Sequence, residues 1–151
     1  MNNIPNLSEY LNQFLANVKT AITNQYNFHW NIVGPFFGNI HEKTQEYYEK
    51  LELVYDEVAE RIKQLEKFPL TSDQESINIS TIKNYPSKNH NETTVISLAI
   101  KDFEMLLNMT KQIGNLATEI NDLNTTDLMT DYTNFFEKEL WMLKSNLKKD
   151  I

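Results

Sequence analysis

Hydrophobic residues recur at steps of three and four along four long stretches of this 151-residue chain, the period of helices that bury one face. The first stretch runs from about Asn6 to Val33 and carries Leu7, Leu11, Phe14, Leu15, Val18, Ile22 and Tyr26. Asn6 with Glu9 resembles a capping box at its start, and Gly34 resembles a C-terminal cap. Pro35 suits the first turn of a second helix. That helix reaches about Leu65, with Ile40, Thr44, Tyr47, Leu51, Val54, Tyr55, Val58, Ile62 and Leu65 on one side. A third, from about Glu92 to Ile120, carries Ile96, Ala99, Phe103, Leu106, Leu107, Ile113, Leu116 and Ile120. A fourth, from about Asp127 to Leu147, carries Leu128, Tyr132, Phe135, Phe136, Leu140, Leu143 and Leu147, with Thr126 as its expected cap.

The connections decide how these helices are joined. Helices one and two meet at a tight Gly-Pro turn, and helices three and four meet near "NDLNTTD". Short connections make antiparallel neighbours. Between the second and third lies "EKFPLTSDQESINISTIKNYPSKNHN", which is too long for a hairpin turn and sufficient to cross the length of a bundle. Two helical hairpins joined by one long crossover form an all-α, ferritin-like four-helix bundle. "SINISTIKN" is expected to form a short helix inside the crossover. No internal repeat is visible, and residues 1–151 read as one domain.

Charge and composition narrow the class. The net charge is −7, and the chain has no cysteine. Disulfides, Cys-zinc sites and thiol chemistry are excluded. The first twenty residues lack a basic start followed by an apolar run, and no stretch approaches the roughly 20 apolar residues of a membrane span. The expectation is a cytoplasmic protein. The first eighteen residues contain no Lys or Arg, and the end, "KSNLKKDI", offers three Lys and an Asp. This balance disfavours DNA binding and suits the attraction of cations.

The candidate chemistry lies in "FHWNIVGPFFGNIHEK", residues 28–43, with His29 and His41 on either side of the Gly-Pro break. At 100° per residue, His29 falls about 20° from the direction of Ile22 and Val18, at the edge of the buried stripe. With His41 set at zero, the apolar residues of the second helix cover roughly 220° to 340°. Gln45 then falls at about 40°, Asp56 at about 60° and Glu60 at about 100°, forming a second face turned away from the core. Asp56 and Glu60 are one turn apart and can converge on one metal ion. His41 lies about 22 Å from Asp56 along the helix axis, so the two cannot hold one ion within a chain. An antiparallel copy of the helix, related by a two-fold axis, brings Asp56 and Glu60 of one chain to His41 of the other. The Glu-x-x-His pattern of in-bundle di-iron sites is missing, since Tyr26 precedes His29 and Gly38 precedes His41.

Together with "YYEKLELVYDEVAERIKQLEKFP", the histidine segment resembles the Dps family, the miniferritins. The run His-Trp-Asn…Gly…Phe…His-Glu and the later Asp-Glu-x-Ala-Glu-Arg carry the resemblance, which extends to "LWMLKSNL" and over nearly the whole chain. It implies a hollow dodecamer built from two-fold dimers. Ferroxidase centres at the two-fold interfaces would oxidise Fe²⁺ with hydrogen peroxide, store Fe³⁺ inside and limit oxidative stress. By position, His29 and His41 come from one chain and Asp56 and Glu60 from its mate, with Trp30 near the metal as an electron donor. Zinc is a possible occupant of the same ligands.

The sequence also departs from the family pattern. A carboxylate is usual four residues after the second histidine, and Gln45 stands there, a neutral and weaker ligand. The expected result is weaker or slower iron chemistry at one position. The alternative is a cage whose ferroxidase site is impaired and whose role is structural or DNA-protecting. The family's Gly-Gly after the second helix is replaced around "EKF", a change expected to matter less. Asp122, Asp127 and Asp131 lie where the family builds acidic three-fold pores, although a helix dipole accounts for Asp127 equally well. Asp56 with Arg61 also reads as ordinary helix charge, and His90 reads as a loop residue without chemistry.

Overall fold

A computed structural model of the protein describes residues 6–148. The uncharged N-terminal arm up to residue 5 and Lys149 of the basic tail lie outside the described residues. Among the described residues, five helices appear in the order α1 (Leu7–Asn31), α2 (Phe37–Gln64), α3 (Asp73–Ile79), α4 (Glu92–Glu119) and α5 (Leu123–Leu147). α1 packs along α2, α4 packs along α5, and α1 also meets α4 and α3. Leu11, Phe14, Leu15 and Val18 of α1 bury against Leu51, Val54, Val58 and Ile62 of α2, Phe103 and Leu106 of α4, and Tyr132 and Phe136 of α5. This is the four-helix bundle with a long crossover that the periodicity predicts. No helix among the described residues is long and apolar enough to cross a membrane.

Several local details differ from expectation. α5 begins at Leu123, ahead of the expected Asp127. Its cap is Asp122, whose carboxylate accepts from the Thr125 amide at 3.0 Å. Thr126 is already inside the helix, with its hydroxyl donating back to the Asp122 carbonyl. Asn121, at φ 60°, makes the turn so tight that only three residues separate α4 from α5. α3 starts at Asp73, with Ser72 and Glu75 forming a reciprocal capping box. At the first hairpin, α1 is capped at Ile32, and Gly34 (φ 119°) turns the chain beyond the cap. Pro35 precedes the Phe36 cap of α2, so it lies in the turn and not in the helix. Asn6 caps α1 through the Ser8 amide at 3.1 Å.

The end of α2 shows the effect of a missing glycine. Glu66 sits at φ 59°, and the Lys67 and Glu66 amides donate back to the Ile62 and Lys63 carbonyls, closing the helix with a left-handed residue. A side chain brings steric strain to this conformation. The "EKF" departure therefore matters more to local stability than the sequence suggested.

A row of asparagines on α1 fixes the crossover. An asparagine side chain offers a carbonyl acceptor and an NH₂ donor, so it can pair with peptide groups of an irregular strand. Asn12 donates to the Phe68 carbonyl and accepts from the Leu70 amide. Asn17 accepts from the Thr81 amide at 2.7 Å and the Ile82 amide at 3.3 Å, and donates to the Thr81 hydroxyl at 2.9 Å. Asn24 donates to the Lys83 carbonyl, and Asn27 to the Tyr85 carbonyl. A parallel bridge between Ile32 and His90 clips the crossover's far end to the α1–α2 turn. His90 itself is buried, with its ring edge-on to Phe28, and serves as packing.

Candidate metal centre

The last turn of α1 and the first turns of α2 face each other across the Gly-Pro hairpin, and this brings His29 and His41 into contact. Their rings stack with centroids 3.6 Å apart and planes 16° from parallel. Each ring is anchored by the other residue's backbone. His29 Nδ1 lies 2.6 Å from the His41 carbonyl oxygen, and His41 Nδ1 lies 2.7 Å from the His29 carbonyl oxygen. A carbonyl can only accept, so both Nδ1 atoms carry the proton and both Nε2 atoms keep a free lone pair in the neutral rings. Backbone anchoring of one ring nitrogen is the usual way a protein presents the other to a metal. His29 is buried, and Thr44, buried beneath the pair, has its hydroxyl 3.2 Å from His29 Nδ1.

Aromatic rings continue from this pair in both directions. Phe37 stacks on His41 at 5.1 Å, and Tyr48 meets His29 edge-on at 5.3 Å. Tyr26 stacks on Tyr48 at 4.2 Å, and Trp30 stacks on Tyr26 at 5.1 Å. Trp30 is 68% exposed, which is unusual for so large an apolar ring. The Tyr26 hydroxyl donates to Glu52 Oε1 at 2.6 Å, and that hydrogen bond to a carboxylate is the main reason its phenol is pushed up to about 12.

The second face of α2 is solvent-facing in a single chain. Gln45, Asp56 and Glu60 are exposed and His41 is half-buried. Among the described residues, no group of three or more His, Asp or Glu side chains converges to hold a metal. Gln45 Nε2 donates to Glu49 Oε1 at 2.8 Å. Glu49 and Glu52, absent from the residues the sequence singled out, belong to this face too. On the same helical wheel Glu49 falls at about 80° and Glu52 at about 20°, so the spacing that picks out Asp56 also reaches both.

Of the three aspartates weighed as pore residues, Asp122 is engaged within the chain. Its carboxylate accepts from Arg61 at 2.8 Å and from the Thr125 hydroxyl at 2.6 Å. Burial raises its pKa, but the Thr125 and Arg61 hydrogen bonds outweigh that and hold it below the usual carboxylate range. Arg61 is thereby committed to α5 and not to Asp56. Asp127 and Asp131 are exposed one turn apart.

Known proteins resemble this chain in sequence and fold. The sequence model of the family described as ferritin-like domain matches residues 8–150. The chain is 33% identical over 143 residues to DNA protection during starvation protein 2 of Bacillus anthracis, spanning 93% of this chain and 96% of that one. It is 30% identical over 139 residues to the DNA protection during starvation protein of Helicobacter pylori, spanning 92% and 96%. The crystal structure of a Dps protein from Vibrio cholerae O1, described as a member of a broad superfamily of ferritin-like diiron-carboxylate proteins, superposes with a TM-score of 0.91. Identity there is 35%, over 94% of this chain and 89% of that one. Antigen TpF1 of Treponema pallidum superposes with a TM-score of 0.93 at 31% identity, over 95% and 92%.

Proposed function

Because this chain belongs to the ferritin-like domain family, in its Dps branch, we propose that it is a cytoplasmic iron store that oxidises Fe²⁺ with hydrogen peroxide and holds Fe³⁺ inside a hollow dodecamer. Iron is substrate and cargo here, and consuming it together with peroxide protects against oxidative damage. The observation that carries this reading is the stacked, mutually anchored pair His29 and His41 beside an exposed face that bears Asp56 and Glu60.

Within one chain the imidazoles and the acid pair are about 22 Å apart along α2. A two-fold contact between α2 helices makes each site from His29 and His41 of one subunit and Asp56 and Glu60 of its mate, two sites per dimer. Imidazole suits Fe²⁺, and carboxylates suit the harder Fe³⁺ product. The same donors would take zinc as a competitor. Gln45, neutral and engaged with Glu49, leaves the second iron position of each site short of one negative charge. The net charge of −7 favours cations over nucleic acid as partners.

Chain mixing tests the shared site. One variant carries His29→Ala and His41→Ala, and the other Asp56→Ala and Glu60→Ala. Each alone should fail to oxidise Fe²⁺ with peroxide. Dissociated, mixed in equal amounts and reassembled, they should recover roughly a quarter of the wild-type sites, because random pairing gives an intact site that often. Normal oxidation by either variant alone, or by a monomer on sizing, would overturn the reading.

A further inference from the structure

We propose that Glu49 is a positioning residue for the iron site: it holds the Gln45 side-chain amide by its NH₂ group, leaving the carbonyl oxygen to face the metal. This inference rests on the ferroxidase reading above.

An amide offers a metal ion one useful atom. Its nitrogen lone pair is delocalised into the carbonyl, so the oxygen can bind a cation while the NH₂ group, a donor only, opposes one. A free glutamine side chain presents either end. A carboxylate in the same place has no such choice, because both of its oxygens accept. Glutamine at a ligand position therefore needs a neighbour that decides which end faces the ion, much as an imidazole ligand needs a partner on its second nitrogen.

Glu49 is that neighbour. Gln45 Nε2 donates to Glu49 Oε1 at 2.8 Å, one turn further along α2. An ionised carboxylate accepts and cannot donate, so the amide end toward Glu49 is the NH₂ group. Side chains on a helix lean toward its N-terminus, so Glu49 reaches back to Gln45, and Gln45 reaches back toward the turn that carries His41. The carbonyl oxygen is the end left on the imidazole side. Competing partners are occupied elsewhere. Lys43 pairs with Glu46 and Glu139, Lys50 lies over the Phe135 ring, and Glu52 takes its hydrogen bond from Tyr26. The oxygen so presented is neutral, and the position is oriented without regaining the charge of a carboxylate.

Anaerobic titration calorimetry with Fe²⁺ tests this in wild type, Glu49→Ala, Gln45→Asp and the double variant. Both positions are exposed helix surface and alanine is a strong helix former, so the fold should hold, which circular dichroism checks. In the wild-type background Glu49→Ala should weaken ferrous binding about tenfold, the usual cost of losing a ligand's outer partner. In the Gln45→Asp background the same change should cost less than about twofold, because a carboxylate needs no turning. An equal loss in both backgrounds means that Glu49 acts by its charge alone, and no loss in either means that it does not act. Each of these overturns the positioning role and leaves the ferroxidase reading intact. Wild type that binds no ferrous iron, or binds it as well after His29→Ala with His41→Ala, overturns both.

Discussion

Replacing Asn17 with alanine removes the side chain that ties the middle of the crossover to α1. Asn17 is fully buried, and its Oδ1 serves the Thr81 and Ile82 amides together with the Ser80 hydroxyl. Thr81 is exposed, so its amide can turn to water at little cost. Ile82 is buried, and its amide would be left without an acceptor. An orphaned buried donor costs about 1–3 kcal/mol, and the lost bond to the Thr81 hydroxyl adds about 1 kcal/mol. The sum, about 2–4 kcal/mol, is a large part of the roughly 5–15 kcal/mol that holds a domain of this kind together. Urea denaturation followed by far-ultraviolet circular dichroism, at one fixed subunit concentration because assembly adds stability by mass action, measures the loss. Native-state hydrogen exchange should show the Ile82 amide losing more protection than the amides of α2, which fall only by the global loss. A loss below about 1 kcal/mol with Ile82 protection unchanged would refute the assignment of Asn17 as a latch.

Three further outcomes follow from named residues. Asp102 is buried, and desolvation raises its pKa to about 6 from the usual 3.8, even with hydrogen bonds from Tyr85 and Asn24. The folded chain therefore binds more protons than the unfolded chain across that window, and stability falls as pH rises from about 4 to 6. Asp102→Asn should flatten this slope, by up to about 3 kcal/mol, in denaturation curves taken across that range. Glu66→Gly relieves the left-handed residue at the end of α2 and should stabilise by about 0.5–1 kcal/mol; a destabilised variant would contradict the strain assigned there. Gln45→Asp restores a charged ligand and should raise ferrous binding and peroxide-driven oxidation, and no gain in either defeats the weakened-position account.

The four long helices were legible because their apolar residues keep one period along nearly their whole length, as from Leu7 to Phe28 on α1. What failed lies at helix ends. "NDLNTTD" reads as loop from its weak helix formers, yet Asp122 caps the Thr125 amide and takes Arg61 as well, and this starts α5 early. The capping box Ser72–Glu75 was present in plain sequence but was outweighed by the apolar residues of "SINISTIKN". The histidines were found from their positions beside the buried stripe. Their stacking was beyond reach, since it depends on the spacing between α1 and α2 that the Gly-Pro turn sets. The asparagine row on α1 was invisible for a related reason. Nothing in Asn12, Asn17, Asn24 or Asn27 alone tells whether it faces water or a crossing strand.

The two imidazoles are each steadied by their neighbour's main chain, and a main-chain oxygen survives any substitution of the side chain above it. Exchange of His41 for another residue would leave the His29 ring pointed as before, and the converse holds equally. Such a pair can change one donor at a time over evolutionary history, drifting between two-nitrogen and one-nitrogen sites without first losing the geometry of both.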